Sequence, residues 1–347
     1  MTMPLVLQVT PLSSPLPGID PFIFGAYHQD HYPPGDGQLG VRPELLQGRD
    51  MGMDFSSQDG FSMYHGERVP GFPAHPHRGF ETVTIVRKGL VDHADSLGAT
   101  ARYGEGDVQW LTTGAGVQHG EMFPLVHTDK DNTLDLFQLW LNLPAKNKMA
   151  PPAFTMFWAE TIPFAHYTDE NGHKSHIEVV AGDLHIKGQL PVKALTPPPH
   201  SWASEPDSHV AIWIIQLAPK AMLTLPEAHA NARRALYLTQ GANLQVGGNL
   251  YPQKVMLELK ADTPAPLQNM SDEPMELLLL QGKPIGEPVV ARGPFVMNSQ
   301  QELMQALNDY RQTEFGGWPW PSLGHTHGLE ERFAKHPDGR IEKPPRT

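Results

Sequence analysis

The chain has 347 residues, 39% of them apolar, with 32 glycines and 35 prolines. That length suits two domains of ordinary size, and so much glycine and proline fits many short strands joined by turns better than a helical bundle. With 26 Lys and Arg against 38 Asp and Glu, the charge of −12 disfavours direct nucleic-acid contact, while the lack of cysteine excludes disulfides, thiolate metal sites and cysteine nucleophiles.

Met1–Thr10 lacks the basic start and continuous apolar core of a secretory leader, and no apolar run reaches membrane-spanning length. The expectation is a soluble cytoplasmic protein. Residues 1–70 read as glycine- and proline-rich loops with a few edge strands, such as Pro21-Phe22-Ile23-Phe24. From Glu81 the texture changes. Thr82-Val83-Thr84-Ile85-Val86 is β-branched throughout and stops at Lys88-Gly89, a turn signal. Further turns at Asp95-Ser96-Leu97-Gly98 and Gly104-Glu105-Gly106-Asp107 separate short strands at Val108–Thr112 and Leu134–Leu143. A proline-rich stretch, Pro144–Pro163, reads as an interdomain connection. Strand texture resumes at Ile177–Val180 and recurs to Leu280, so the second half repeats the architecture of the first. This spacing predicts an all-β sandwich or barrel in each half. Ser299 and Glu302 form a capping box before Leu303, Ala306, Leu307 and Tyr310, which predicts one short C-terminal helix. The tail beyond Trp318 is polar and reads as surface.

Without cysteine, a transition-metal site must be built from histidine and carboxylate. His75-Pro76-His77 and His119-Gly120-Glu121 are the candidates. Side chains two apart on a strand face the same way, so each pair can aim into one barrel interior, and neighbouring strands would bring the four together. An isolated His-x-His is more often a surface feature; His325-Thr326-His327, in the tail, is read that way. Glu81 shares the parity of His75 and His77, so it stands either as a ligand in place of Glu121 or as a residue that orients a ligand. It lies about 13 Å beyond His77 along an extended strand, which favours the second role unless the chain bends, as Gly79 could permit. His93 reads as a turn residue, and His28 and His31 as an exposed loop.

The order and identity of several motifs resemble the pirin family of the cupin superfamily. They are His75-Pro-His-Arg-Gly-Phe-Glu-Thr-Val-Thr84, Gly106-Asp-Val-Gln-Trp110, His119-Gly-Glu-Met122, Phe137-Gln-Leu-Trp-Leu-Asn-Leu-Pro144 and Glu287 through Asn298. The resemblance spans about residues 68 to 318. It implies two tandem cupin (jelly-roll β-barrel) domains. The boundaries expected are 1–155 for a metal-binding cupin, 156–298 for a degenerate one and 299–347 for the helix and an extended tail. It implies one divalent metal held by His75, His77, His119 and Glu121. Iron(II) is preferred, and manganese, nickel, copper, cobalt or zinc would suit the same donors. The second barrel, with only His229 near the corresponding position, is expected to bind none. The function implied is a quercetin 2,3-dioxygenase-like enzyme acting on a flavonol and dioxygen, with Glu121 as proton acceptor. Two alternatives are a redox-sensing iron protein that binds a protein partner, and a metal-dependent cupin with another small substrate. The segment 25–70 and the tail are longer than the family pattern and could cover the mouth of the site.

Overall fold

The computed structural model describes residues 4–346, so Met1–Met3 at the start of the expected leader-free N-terminus and Thr347 of the tail lie outside it. The described chain is all-β apart from one α-helix and a few 3-10 turns. It divides into two compact units.

One unit holds residues Ala26–Leu139, Leu143–Glu160 and Glu287–Thr347. It contains a six-stranded sheet in the order Ile341–Glu342, Phe333–Lys335, Thr100–Gly104, Leu90–Asp95, Val117–Met122, Gly71–His77. A five-stranded sheet follows the order Ala153–Phe157, Val108–Thr112, Phe80–Lys88, Asn132–Asn142, Phe22–Tyr32. Alternation places one face of each strand in a shared core. Val91, Ala101, Tyr103 and Val117 of the first sheet pack with Val86, Leu111, Leu134 and Leu136 of the second.

The other unit holds the N-terminal residues through Gly25, Trp140–Asn142 and Thr161–Gly286. Its seven-stranded sheet runs from Val6–Pro11 through Val255–Leu259 and on to Phe164–Thr168, and a four-stranded sheet accompanies it. Leucine, isoleucine and valine from both fill the core, Leu236, Leu257, Leu277 and Ile215 among them.

These groupings differ from the expected boundaries at 155 and 298. Val6–Pro11 pairs antiparallel with Val255–Leu259, so the N-terminus is grouped with strands some 250 residues away in sequence. Residues 287–347 are grouped with the histidine-bearing half. Ladder hydrogen bonds satisfy backbone groups wherever a strand edge is open, whatever the distance in sequence. The expected connection 144–163 is largely structural: Ala153–Phe157 pairs with Val108–Thr112 along its whole length. The expected surface tail supplies the strand Phe333–Lys335, with Ala334 fully buried against Ala101.

The helix runs Gln300–Thr313. Ser299 Oγ accepts the Glu302 N–H, and the Glu302 carboxylate accepts the Asn298 N–H. Leu303 and Ala306 are its buried face, packed on Phe295, Met297 and Phe315.

Candidate metal centre

Gly71–His77 and Val117–Met122 pair antiparallel, with His75 opposite His119 and His77 opposite Val117. The register shifts between Phe72 and His75, a bulge that re-aims the strand just before the histidines. The imidazole centroids lie 4.8 Å apart for His75 and His77, 4.5 Å for His75 and His119, and 4.9 Å for His77 and His119. One nitrogen from each ring falls within 4.8 Å of the other two. Among the described residues no other trio of histidines and carboxylates meets this way.

Burial holds all three rings neutral. It lowers His75 to about 4, and it drives His77 and His119 well below the ordinary histidine range, with the neighbouring imidazoles adding to the effect. His75 Nδ1 lies 2.9 Å from the Pro73 carbonyl. A carbonyl only accepts, so Nδ1 carries the proton and Nε2 presents its lone pair. A hydrogen bond to the Pro294 carbonyl opposes the lowering at His77. His119 is fully buried and neither of its ring nitrogens has a hydrogen-bond partner. An unmet buried polar atom costs about 1–3 kcal/mol, and a divalent cation would meet it. Neutral imidazoles are the form that ligates. The residues present therefore fit a first-row divalent metal.

Glu121 stands beside this trio, with Oε2 at 3.7 Å from His119 Nε2. Gln138 Nε2 donates to Oε2 at 2.7 Å and Thr84 Oγ1 to Oε1 at 3.3 Å. Burial raises the Glu121 pKa, opposed by the Gln138 hydrogen bond. The structure thus brings three of the four expected ligands within one ion's reach and holds the fourth on hydrogen-bond donors at their side.

For Glu81 the bend that Gly79 permits is present. Gly79, with φ of +89°, turns the chain after His77, and Glu81 lies in Phe80–Lys88, a strand of the other sheet. The spacing argument along one strand does not apply, because the strand ends first. Glu81 is fully buried and accepts the Thr112 hydroxyl at 2.7 Å. His93 is not a turn residue: it lies in the strand Leu90–Asp95, opposite Glu121, with its ring 5.6 Å from His119. Its Nε2 lies 3.2 Å from Asp95. His28 and His31 also lie in a strand, Phe22–Tyr32. His28 Nδ1 bonds Tyr64 Oη at 2.8 Å, and Tyr64 donates to Asp30 at 2.7 Å; His31 is exposed. In the tail, the His325 ring stacks on Trp320, and His327 Nε2 donates to the His93 carbonyl. In the other unit, His229 stacks on His209.

A cleft of about 860 Å³ opens at His75. Arg68, Pro73, Met122 and Leu323 are among its walls, so both the 25–70 segment and the tail reach it. Phe72, stacked on Tyr64, lies between the 25–70 segment and His75.

Residues 14–141 match the family model described as Pirin, and residues 212–316 match the one described as Pirin C-terminal cupin domain. The chain belongs to the pirin family. It is a pirin with two cupin domains. A Pseudomonas aeruginosa protein provisionally named a quercetin 2,3-dioxygenase is 38% identical over 71% of this chain and 79% of its own length. Pirin-1 of Arabidopsis thaliana is 34% identical over 71% of this chain and 78% of its own. Among solved structures, quercetin 2,3-dioxygenase of Acinetobacter baumannii superposes with a TM-score of 0.66 at 27% identity, covering 91% of this chain and 99% of that one.

The sequence reading missed His93, Gln138 and Thr84 as neighbours of the site. His93 carried a usable signal, since Asp92 to Asp95 continues the strand texture before the Ser96-Leu97-Gly98 turn. Gln138 and Thr84 carried none, because each reaches Glu121 across the interior from the other sheet, on strands that do not pair with the one bearing Glu121.

Proposed function

We propose that this pirin is a metal-dependent dioxygenase acting on flavonols, with iron(II) as its metal. The observation that carries the reading is the trio of buried, neutral imidazoles with a raised-pKa carboxylate 3.7 Å from one of them. The similarity to the Acinetobacter quercetin 2,3-dioxygenase supports the substrate class. His75, His77 and His119 would hold the ion, and Glu121 would complete the set or stand at its side. When bound, the metal supplies Lewis-acid chemistry that lowers the pKa of a substrate hydroxyl and a centre where dioxygen can react.

The chain's own groups account for the proton. Burial raises the proton affinity of Glu121, which strengthens it as a base, and Gln138 and Thr84 fix its two oxygens. The flavonol 3-hydroxyl proton passes to a Glu121 oxygen. The flavonolate then takes up both atoms of dioxygen, its heterocycle opens, one carbon leaves as carbon monoxide, and Glu121 returns the proton to the carboxylate of the ester product. Met122, Pro73 and Leu323 give the cleft at His75 an apolar surface suited to a flat ring.

The test is element analysis of the purified protein, followed by incubation with quercetin under oxygen. About one metal per chain and one carbon monoxide per flavonol are expected. The His75→Ala, His77→Ala double variant is expected to lose the metal and the gas together. Full metal retention in that variant would overturn the site; metal without carbon monoxide would overturn the flavonol reading.

A further inference from the structure

Along a strand, the residues on either side of an inward-facing histidine face outward. In this pirin at least one such neighbour of each histidine is held by the C-terminal segment. Beside His75, the Ala74 N–H donates to the Leu323 carbonyl at 2.9 Å. Beside His77, Arg78 pairs with Asp309 at 2.7 Å and lies over the Phe315 ring. Beside His119, Gln118 Nε2 donates to the Glu314 carbonyl at 2.7 Å, and Gln118 Oε1 accepts the Tyr310 hydroxyl at 3.1 Å. On the other flank of His119, Gly120 lies under the Trp318 indole, where a Cβ would stand 3.5 Å from the ring.

The segment then continues across the sheet. Trp320 Nε1 donates to the Asp95 carbonyl at 2.8 Å, the His327 N–H donates to Asp92 at 3.0 Å, and the His327 ring bonds the His93 carbonyl at 2.9 Å. Phe333–Lys335 ends the crossing by pairing with Thr100–Arg102. Gly71–His77 is the edge strand of its sheet and carries a bulge, so one side of it lacks a neighbouring strand. Edge strands open most readily, while a metal site needs its ligands held to a fraction of an ångström. The family match ends at residue 316, so most of the crossing segment lies outside it.

We propose that residues 309–327 are a clamp that sets the spacing of the histidine strands, with Gln118 and Trp318 as positioning residues of the metal centre. The proposal rests on reading the three histidines as that centre. Neither residue is among the three that would hold the ion. Each fixes the backbone on which His119 stands.

The experiment uses full-length protein loaded with cobalt(II), whose visible bands report ligand geometry. Affinity is read by competition with a chelator, and the melting of metal-free protein is followed separately. Gln118→Leu and Trp318→Ala are each expected to weaken cobalt binding about tenfold and to change the visible bands, as loss of a ligand's supporting contacts does. Trp318→Phe, which keeps a ring over Gly120, is expected to restore both. Trp318 is half-buried near the surface, so its variants remain informative if Gln118→Leu fails to fold. Unchanged affinity and bands in folded Trp318→Ala, even with lowered melting, would overturn the clamp while leaving the metal centre standing. A wild-type protein that binds no cobalt would overturn the metal reading itself, and the clamp with it.

Discussion

His119 shows most directly what the interior of this unit is built for. Its two ring nitrogens are buried without hydrogen-bond partners, two further imidazoles converge on it, and Glu121 stands 3.7 Å away. The carboxylates divide by surroundings. Glu121 is beside the trio, whereas Glu81 is held by Thr112 in the other sheet. Glu121→Gln is therefore expected to weaken metal binding and abolish oxygenase turnover, and Glu81→Gln to retain the metal. Metal content and carbon monoxide yield, measured on both, check this. A second expectation concerns Asp30 and His28, joined through Tyr64. Burial lowers His28 from 6.5 to about 4, so the unfolded chain binds the extra proton in that window and stability falls as pH drops through it. Burial raises Asp30 from 3.8 to about 6, so the folded chain holds the proton there and stability falls as pH rises through that window. The two slopes oppose each other between about pH 4 and 6. Asp30→Asn leaves the histidine slope alone, and its stability in urea is expected to fall more steeply than the wild type's on acidification from pH 6 to 4.

At the scale of single elements, the helix Gln300–Thr313 is the clearest case of local chemistry deciding local structure. Ser299 and Glu302 satisfy N–H groups at its first turn. Ser299→Ala is expected to cost about 1 kcal/mol in urea unfolding, read from the midpoint at unchanged slope. The capping box is legible because its residues lie three apart. The β-branched run Thr82–Val86 is legible for a similar reason, falling within the strand Phe80–Lys88. Ala153–Phe157 was not, because its prolines at 151 and 152 precede the strand and obscured it. His28 and His93 lie in strands that polar residues disguise; the His28 ring is met by Tyr64, 36 residues away, and the His93 ring by Asp95 on its own strand.

Taken whole, the molecule carries one histidine trio among its described residues, in the unit that also holds the C-terminal segment. An ion binding the folded state alone stabilises it by mass action, by about 2.7 kcal/mol at a hundredfold excess over Kd. Chelator-stripped protein is expected to melt at lower temperature and to recover on metal addition. In the other unit His229 stacks on His209 and joins no trio, so His229→Ala is expected to leave metal content unchanged. Two metals per chain, one of them lost in that variant, would refute this.

The sequence by itself determined the all-β class, the helix and its cap, and the same-face pairing of His75 with His77 and of His119 with Glu121. These rest on period, spacing and composition, which act over a few residues and survive without knowledge of the fold. Tertiary structure alone decided the rest. It grouped the N-terminal strand with Val255–Leu259, removed Glu81 to a second sheet at Gly79, set Gln138 and Thr84 on Glu121, and drew the tail across the strands that bear His75 and His119. Apart from the local turn at Gly79, each of those outcomes is a backbone or side-chain hydrogen bond between segments far apart in the chain. Which distant partner a polar group finds depends on strand order and register, and those are properties of the assembled sheet.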